Sequence, residues 1–265
     1  MSEFWKRLWF GAIFVAVMIL GIMWSEVSTL ILFSSVVFLG NLEFQNLTGQ
    51  KKSIASASLH SMVFLILSHG VMFKIPCFTQ FFVLFLAIVY PYLERRETRV
   101  LAMSLLSLCL ISFPFIVLTY FPGSADLRFT LLVFFILIWA NDTFAYLVGK
   151  KFGRTKLWER LSPKKTWEGF VGGLILTVFF SLFLSPYCSW PRLDGMMIAV
   201  IISSTGTAGD LLESSFKRRA GVKDSGSFLP GHGGLLDRFD AVTLSAPVVF
   251  VYLWMNGLID LPSAL

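Results

Sequence analysis

The chain has 265 residues, of which 56% are hydrophobic and 14% are charged, and its formal net charge is +6. Because soluble domains carry about 25% charged residues, this composition excludes an ordinary soluble domain and indicates a polytopic membrane protein. The 28 phenylalanines agree with lipid-facing helices, which need apolar surface on all sides rather than along one stripe.

Long apolar runs predict an all-α polytopic membrane fold. A helix needs about 20 apolar residues to cross a bilayer, and on this basis we predict about nine transmembrane helices in a single integral membrane domain, 1–265. Only Trp24-Ser25-Glu26 separate the first two spans, which are therefore either a helical hairpin or one miscounted span. The predicted spans are 8–23, 27–42, 54–73, 76–92, 100–121, 129–148, 170–187, 195–212 and 241–258.

The positions of lysine and arginine orient these spans. If the spans alternate from a cytoplasmic N-terminus, 19 of the 22 Lys and Arg residues fall on one side, and Lys74, Arg128 and Arg192 fall on the other. This asymmetry follows the positive-inside rule. We therefore predict a cytoplasmic N-terminus, an outside C-terminus, and large polar loops that face the cytoplasm from the inner (plasma) membrane. Topology and anionic lipid headgroups explain the positive charge, so no nucleic acid is expected as a partner.

Residues 1–125 contain little that indicates chemistry. Their acidic residues lie at predicted span ends or in loops, and His60 and His69 are isolated within the third span. We interpret this half mainly as scaffold and lipid-facing helices. The polar groups that indicate a functional site are concentrated in 126–258.

The sixth span contains polar residues inside an apolar run. Asp142, Tyr146 and Gly149 recur at helical spacing and share one face. Asp142 precedes Lys150 by eight residues, or about 12 Å along a helix, which predicts a carboxylate within the membrane near its cytoplasmic surface. A charge there costs about 2.5–3.5 kcal/mol and usually marks a function. A helix-packing hydrogen bond from Asn141 or Asp142 stays open as the alternative.

The loop after this span is rich in lysine and arginine, with seven such residues between Lys150 and Lys165. That density suits polyphosphate binding, although the chain has no G-x-x-x-x-G-K-[ST] motif. Ser162-Pro163 predicts a turn and helix start, whose backbone N–H groups could donate to a phosphate. Because a basic cytoplasmic loop is ordinary in membrane proteins, this loop alone indicates no function.

Two pairs of acidic residues lie near the last two spans. Asp210 and Glu213 are three positions apart near the end of the eighth span, and Asp237 and Asp240 have the same spacing where the ninth helix begins. Such pairs are neighbours on a helix and can hold a hard metal ion. For Asp237, an ordinary acidic residue at a helix N-terminus is the alternative.

The segment 214–240 connects these pairs and is polar, charged and glycine-rich. Positive charge gathers at Lys217, Arg218 and Lys223, while Gly233 and Gly234 allow a backbone to approach a ligand closely. Cationic groups, oxygen ligands and bare backbone together predict a phosphate substrate with a divalent metal.

Three segments within 135–241 form a longer pattern. The first is Asp142-Thr-Phe-Ala-Tyr146, the second runs from Ser162 to Gly169, and the third, from Ser214 to Asp240, reads S-x-F-K-R-x4-K-D-x-G-x2-L-P-x-H-G-G-L-x-D-R-F-D. Together they resemble the signature of phosphatidate cytidylyltransferases, also called CDP-diacylglycerol synthases.

The resemblance implies a nucleotidyltransferase of phospholipid biosynthesis that makes CDP-diacylglycerol and pyrophosphate from CTP and phosphatidic acid. A lipid phosphate oxygen would attack the α-phosphorus of CTP in line, with metal assistance. The implied cofactor is Mg²⁺, with a second metal ion left open. The implied partners are both substrates and the lipid bilayer, and a homodimer stays open.

The resemblance also implies roles for particular residues. The metal ligands would be Asp210, Asp237 and Asp240. The catalytic set would be Asp210, Asp237, Asp240, Lys217, Arg218, Lys223, Asp224, His232 and Arg238. The substrate-binding set would be Asp142, Tyr146, Ser162, Lys164, Lys165, Thr166, Glu168, Gly233 and Gly234.

Two other functions fit parts of the sequence. Another CTP-dependent membrane lipid transferase, such as a polyprenol kinase, would share the basic loops but would release CDP rather than pyrophosphate. A transporter could use Asp142 and Asp210 as an ion path. A transporter predicts polar groups through the spans to both faces, whereas these acidic residues cluster at the predicted cytoplasmic ends.

Overall fold

A computed structural model describes residues 3–69, 77–95, 97–120, 125–188, 190–228 and 233–259. It divides into two compact units. The first unit combines the described parts of 1–120 with those of 220–239, and the second combines 121–219 with 240–260. The segment that links the last two helices thus belongs to the same unit as the N-terminal half.

The first unit is built from helices that pack against their neighbours in sequence. Ser25 separates the first two helices by a capping box, in which Ser25 and Ser28 each accept a hydrogen bond from the other's backbone N–H. The two helices pack together, so the ambiguity of the first two predicted spans is resolved as a helical hairpin. The helices are α1 (Glu3–Trp24), α2 (Glu26–Leu47), α3 (Ile54–His69), α4 (Cys77–Arg95), α5 (Thr98–Ser107) and α6 (Phe113–Thr119).

A π-helical turn, Leu108–Ser112, joins α5 to α6, so that the two form one continuous helix. Pro114 follows in the first turn of α6 and has no N–H to donate. The missing donor provides a local reason for the wider turn that precedes it.

The described residues of the second unit form four long helices, a short 3₁₀ turn (Ser185–Tyr187) and a small β-hairpin. Helix α7 packs on α8, α8 packs on α9, and α9 packs on α10. A Cβ on Gly169 would lie 2.8 Å from the Ala145 carbonyl oxygen and 3.0 Å from the Gly149 Cα, which explains how α7 and α8 approach so closely. The elements are α7 (Ala125–Phe152), β1 (Lys156–Trp158), β2 (Ser162–Thr166), α8 (Trp167–Leu184), α9 (Arg192–Arg219) and α10 (Asp240–Met255).

The prediction of a helix start at Ser162-Pro163 is wrong. Ser162–Thr166 instead form β2, which pairs antiparallel with β1. Helix α8 begins at Trp167, and the Thr166 hydroxyl caps it by accepting a hydrogen bond from the Gly169 N–H at 3.2 Å. Both strands of a two-stranded sheet are edges, where a proline without an N–H is tolerated.

Each of the nine predicted spans overlaps helical structure, including the fifth, which comprises α5, the π turn and α6. Within the described residues, five helices are long and apolar enough to cross a membrane, and four further apolar helices are shorter. The fold is therefore nearly all-α, as predicted, with several candidate membrane spans. The long candidates are Glu26–Leu47, Thr98–Thr119, Arg128–Phe152, Trp167–Tyr187 and Arg192–Arg219.

Candidate active site

Four carboxylates of the second unit form an acidic group, which we call the carboxylate cluster. Asp240, the first residue of α10, interacts electrostatically with Asp210 and Glu213 of α9 and with Asp142 of α7. Lys217 is the cation that interacts with Asp240 in the same group. The structure therefore brings together acidic residues that lie up to 98 positions apart in the sequence.

Small residues on α9 allow the start of α10 to come this close. A Cβ on Gly209 would collide with the carbonyl oxygen of Asp240, and a Cβ on Gly206 would lie 3.3 Å from the Ala241 Cβ. One turn further along, Thr205 donates a hydrogen bond to Ser245 at 3.0 Å. The small, polar run that precedes Asp210 therefore sets the position of Asp240 against α9.

Cationic and hydroxyl side chains partly neutralise the cluster. Lys165, at the end of β2, forms an ion pair with Asp210, and both side chains are about one quarter exposed. Ser214 donates a hydrogen bond to the other Asp210 oxygen at 3.2 Å. Lys217 is buried and pairs with Glu213 at 3.2 Å. The predicted phosphate-binding lysines Lys165 and Lys217 thus meet the carboxylates that the sequence singles out.

The chemistry of the cluster suits a hard cation, but its geometry does not enclose one. Among the described residues, no group of three or more His, Cys, Asp or Glu side chains is close enough to hold a metal ion. Mg²⁺, however, usually keeps several waters and binds through one or two carboxylates together with substrate phosphates. Asp210 and Asp240 are therefore a donor set that fits Mg²⁺ in the presence of a phosphate ligand.

The β-hairpin and the start of α8 hold the basic loop in place. Glu168 accepts hydrogen bonds from the backbone N–H groups of Arg154 at 3.0 Å and Thr155 at 3.1 Å. Thr166 is buried as the cap of α8. Glu168 and Thr166, both from the predicted substrate-binding set, thus make contacts within the protein that shape the loop. Lys164, from the same set, is exposed to solvent.

Two predicted substrate-binding residues lie one turn apart near the polar end of α7. Asp142 and Tyr146 are both exposed, and Tyr146 has 63% of its surface accessible. Lys150 lies over the Tyr146 ring, with Nζ 5.8 Å from the ring centroid. Asn141 is buried, and its Oδ1 accepts a hydrogen bond from Thr177 of α8 at 3.5 Å. The helix-packing alternative thus describes Asn141.

In the first unit, Asp237 organises the glycine-rich loop. Its Oδ2 accepts hydrogen bonds from the backbone N–H groups of Ser225 at 2.9 Å and Gly234 at 2.8 Å. Gly233 has a φ of +84°, and a Cβ there would lie 2.6 Å from the same Asp237 oxygen. The glycine is required both by the left-handed backbone and by the close carboxylate.

The sequence analysis missed Glu43 in α2. Glu43 accepts hydrogen bonds from the Ser225 hydroxyl at 3.0 Å and from the backbone N–H groups of Leu235 and Leu236, each at 2.9 Å. A Cβ on Gly226 or Gly234 would lie 2.5 Å or 2.6 Å from a Glu43 oxygen. In the sequence, Glu43 is a single acidic residue at the end of an apolar span, a pattern that predicts only where the span ends.

Aromatic packing anchors the end of the same loop. Phe239 is 3% exposed and packs edge-on against Phe14 and Phe115, with centroid distances of 5.8 Å and 5.3 Å. Arg238 is half-buried in the short 3₁₀ turn Leu236–Arg238. Two further predicted residues, Lys223 and Asp224, are exposed. His232 lies outside the described residues.

Comparison with known proteins agrees with the sequence motifs. A phosphatidate cytidylyltransferase of Staphylococcus saprophyticus is 39% identical over 173 residues, which are 64% of this chain and 66% of that protein. The enzyme of the same name from Staphylococcus epidermidis is 37% identical over 176 residues, with the same coverage of both chains. The one from Aquifex aeolicus is 40% identical over 143 residues, 54% of each chain. These matches span about two thirds or less of the relatives' length.

The family profile extends over nearly the whole chain. The profile described as "Cytidylyltransferase family" matches residues 5–256. That range includes both α2 with Glu43 and the carboxylate cluster. The chain therefore belongs to the cytidylyltransferase family.

Proposed function

We propose that this protein is a phosphatidate cytidylyltransferase, which transfers CMP from CTP to phosphatidic acid and forms CDP-diacylglycerol and pyrophosphate. The observation that carries the proposal is the meeting of Lys165 with Asp210 beside Asp240, at the polar ends of apolar helices. Cationic and carboxylate groups are therefore close together, as transfer between a nucleotide and a lipid phosphate requires. The names of the relatives from Staphylococcus and Aquifex support the same activity.

The reaction needs alignment and charge neutralisation more than a strong base. The second pKa of a phosphomonoester is about 6, so the phosphate of phosphatidic acid is already largely dianionic at neutral pH. One of its oxygens forms a new bond to the α-phosphorus of CTP, and the bond from that phosphorus to the β-phosphate oxygen breaks. Pyrophosphate leaves with that electron pair. Holding both polyanions in line supplies most of the rate enhancement.

In this proposal, lysines provide the positive charge and carboxylates hold the cofactor. Lys165 and Lys164 would contact phosphates, with Lys217 holding Glu213 in place. Asp210 and Asp240 would bind Mg²⁺, and the family resemblance also assigns Asp237 as a metal ligand. Held by these carboxylates, Mg²⁺ would supply positive charge that offsets the charge of the phosphates. Asp142 and Tyr146, exposed one turn apart, would contact the nucleotide.

The proposed active site faces the cytoplasm, where CTP is found. Support comes from the concentration of 19 of the 22 Lys and Arg residues on one side when nine spans alternate. The proposed location is the inner (plasma) membrane, with the N-terminus inside and the C-terminus outside. A homodimer would be compatible with this arrangement.

The test is an assay of the purified full-length chain in detergent with CTP, phosphatidic acid and Mg²⁺. We expect pyrophosphate and CDP-lipid to appear in equal amounts. Release of CDP with a phosphorylated alcohol would instead identify a CTP-dependent lipid kinase, and the absence of CDP-lipid under all lipid and metal conditions would overturn the proposal.

A further inference from the structure

An open groove of about 780 Å³ lies beside α9 in the second unit. Its walls come from the β-hairpin, the C-terminal half of α9 and the beginning of α10. Leucines of α9 and α10 line part of it, and three arginines line another part. The arginines are Arg160, Arg218 and Arg219.

This groove lies on a different face of α9 from the carboxylate cluster. Ala208, Leu212, Ser215 and Arg219 line the groove and follow one another at intervals of three and four residues, so they share one face. Asp210 is two positions from both Ala208 and Leu212, which is about 200° around the helix. The groove is therefore separate from the carboxylate cluster, although Arg218, which the resemblance assigns to the catalytic set, is one of its lining residues.

The groove changes from apolar to cationic along α9. Leu211 and Leu212 precede Arg218 and Arg219 by seven residues, or about 10 Å along the helix axis. Leu244 of α10 adds to the apolar part. Helix α9 is one of the long apolar helices, and Lys217, Arg218 and Arg219 lie in its last turn. The cationic end of the groove therefore corresponds to a membrane surface and the leucines to the hydrocarbon.

The β-hairpin completes the cationic end. Arg160 is exposed, and neighbouring Trp158 has 54% of its surface accessible. Tryptophan is favoured at the level of lipid headgroups. Within the described part of the chain, Arg160 and Arg219 form no ion pair, in contrast to Lys165 and Lys217. Two guanidinium groups on this groove are thus available to an anionic ligand.

We propose that the groove binds an anionic glycerophospholipid, with its phosphate at the arginines and an acyl chain along the leucines. Guanidinium groups match phosphate oxygens in bidentate geometry, and the apolar part offers no partner for the hydroxyl and amino groups of a nucleotide. The bound lipid is an accessory ligand, because the groove and Asp210 occupy different faces of α9. This inference does not rest on the proposed transferase activity.

Fluorescence quenching tests the proposal without any turnover. The full-length chain in detergent would be titrated with phosphatidylglycerol whose acyl chains carry bromine, which quenches nearby tryptophans. The fluorescence of Trp158 is obtained by subtracting the fluorescence of the Trp158→Phe variant from that of the unaltered chain. We expect saturable quenching of this signal by brominated phosphatidylglycerol and much weaker quenching by brominated phosphatidylcholine.

The double variant R160Q/R219Q should raise the half-saturating concentration of phosphatidylglycerol on the order of tenfold. R154Q/K156Q is the matched control, since it removes the same charge from exposed residues near the hairpin that do not line the groove. Its titration should overlay that of the unaltered chain. R160K/R219K keeps the charge but not the bidentate geometry and should bind with a half-saturating concentration between those of the unaltered chain and R160Q/R219Q.

Three results would overturn the proposal. Equal quenching by phosphatidylcholine would show that the arginines do not select a charge. Relief of quenching by inorganic phosphate at equimolar concentration would identify a site for free anions rather than lipid. Equal weakening by both double variants would show a general effect of surface charge. Each result is independent of whether the protein makes CDP-diacylglycerol.

Discussion

Glu43 accepts a hydrogen bond from the backbone N–H of Leu235 at 2.9 Å, although 192 positions separate the two residues in the chain. The same carboxylate binds Ser225 and Leu236. Three donors on one carboxylate hold the glycine-rich loop against α2 at two points, before and after the residues that lie outside the described ranges. A helix that we interpreted as scaffold thereby positions a loop that the sequence links to catalysis.

Glu43→Gln should lower both the stability and the activity of the protein. The amide keeps one acceptor oxygen, but its NH₂ group would face a donor in place of the second oxygen. Because hydrogen bonds to a charged group contribute about 1.5–3 kcal/mol each, we expect a loss of about 2 kcal/mol in unfolding free energy and a clear fall in CDP-lipid formation. Thermal unfolding in detergent and the transfer assay measure the two effects.

Glu97→Gln provides the control for this variant. Glu97 is exposed and makes no capping hydrogen bond, although it precedes α5. Its substitution removes the same charge from the same unit and should change neither the melting temperature nor the activity. Equal effects of Glu97→Gln and Glu43→Gln would contradict the proposal that Glu43 holds the glycine-rich loop against α2.

Gly233→Ala should disturb the loop more than Gly221→Ala does. Both glycines have positive φ, +84° and +71°, so both substitutions carry a similar backbone penalty. Only at Gly233 would the new Cβ meet a neighbour, the Asp237 Oδ2 at 2.6 Å, whereas Gly221 has nothing within 4 Å. The extra loss of activity in Gly233→Ala therefore measures the contact with Asp237. Equal activity of the two variants would contradict it.

Asp237→Asn should abolish turnover while the loop stays folded. The asparagine side-chain oxygen can still accept the N–H groups of Ser225 and Gly234, but the charge proposed to bind a metal is lost. We expect an unchanged gel-filtration profile and melting temperature together with loss of CDP-lipid formation. Near-normal activity in this variant would remove Asp237 from the proposed metal ligands and leave it as a structural residue of the loop.

The sequence predicted the helices well because each apolar run of about 20 residues has few alternatives to a helix in a membrane protein. The resemblance grouped Asp210, Asp237 and Asp240 as metal ligands, and of these the structure brings Asp240 near Asp210 within the second unit. The prediction failed at Ser162, where a proline was interpreted as a helix start. Ser162 instead pairs with Trp158 in a β-hairpin. Its strands have three and five residues and are too short and too polar to show hydrophobic alternation in the sequence.

Glu43 could not be found from local pattern for a different reason. Two of its three partners are backbone N–H groups, which every residue type except proline supplies, and the third is a serine hydroxyl. No residue pair in the sequence therefore points to the contact. The glycines at 226 and 234 are informative only once their proximity to Glu43 is known. Contacts between a side chain and distant backbone require the tertiary structure.

Removal of divalent metal should stop the proposed reaction, and Mg²⁺ should restore it. The reason is the excess of carboxylates in the carboxylate cluster, since its four carboxylates are paired with two lysines in the described residues, Lys165 and Lys217. A second measurement separates cofactor binding from turnover, because Mg²⁺ with CTP should raise the melting temperature of the unaltered chain but not that of Asp240→Asn. Full activity in excess chelator would contradict a metal-dependent mechanism.

The ion pair between Lys165 and Asp210 should have a measurable coupling energy in catalysis. Asp210→Asn removes a proposed metal ligand, and Lys165→Gln removes its cationic partner. If both residues act on the same phosphate and metal, the double variant should lose much less than the sum of the two single losses, with a coupling of about 1 kcal/mol or more in kcat/KM. Lys156→Gln, an exposed lysine of the same hairpin, is the control and should leave kcat/KM within about twofold. Strict additivity of Lys165→Gln and Asp210→Asn would mean that the two residues act separately, and the pair would then only stabilise the hairpin against α9.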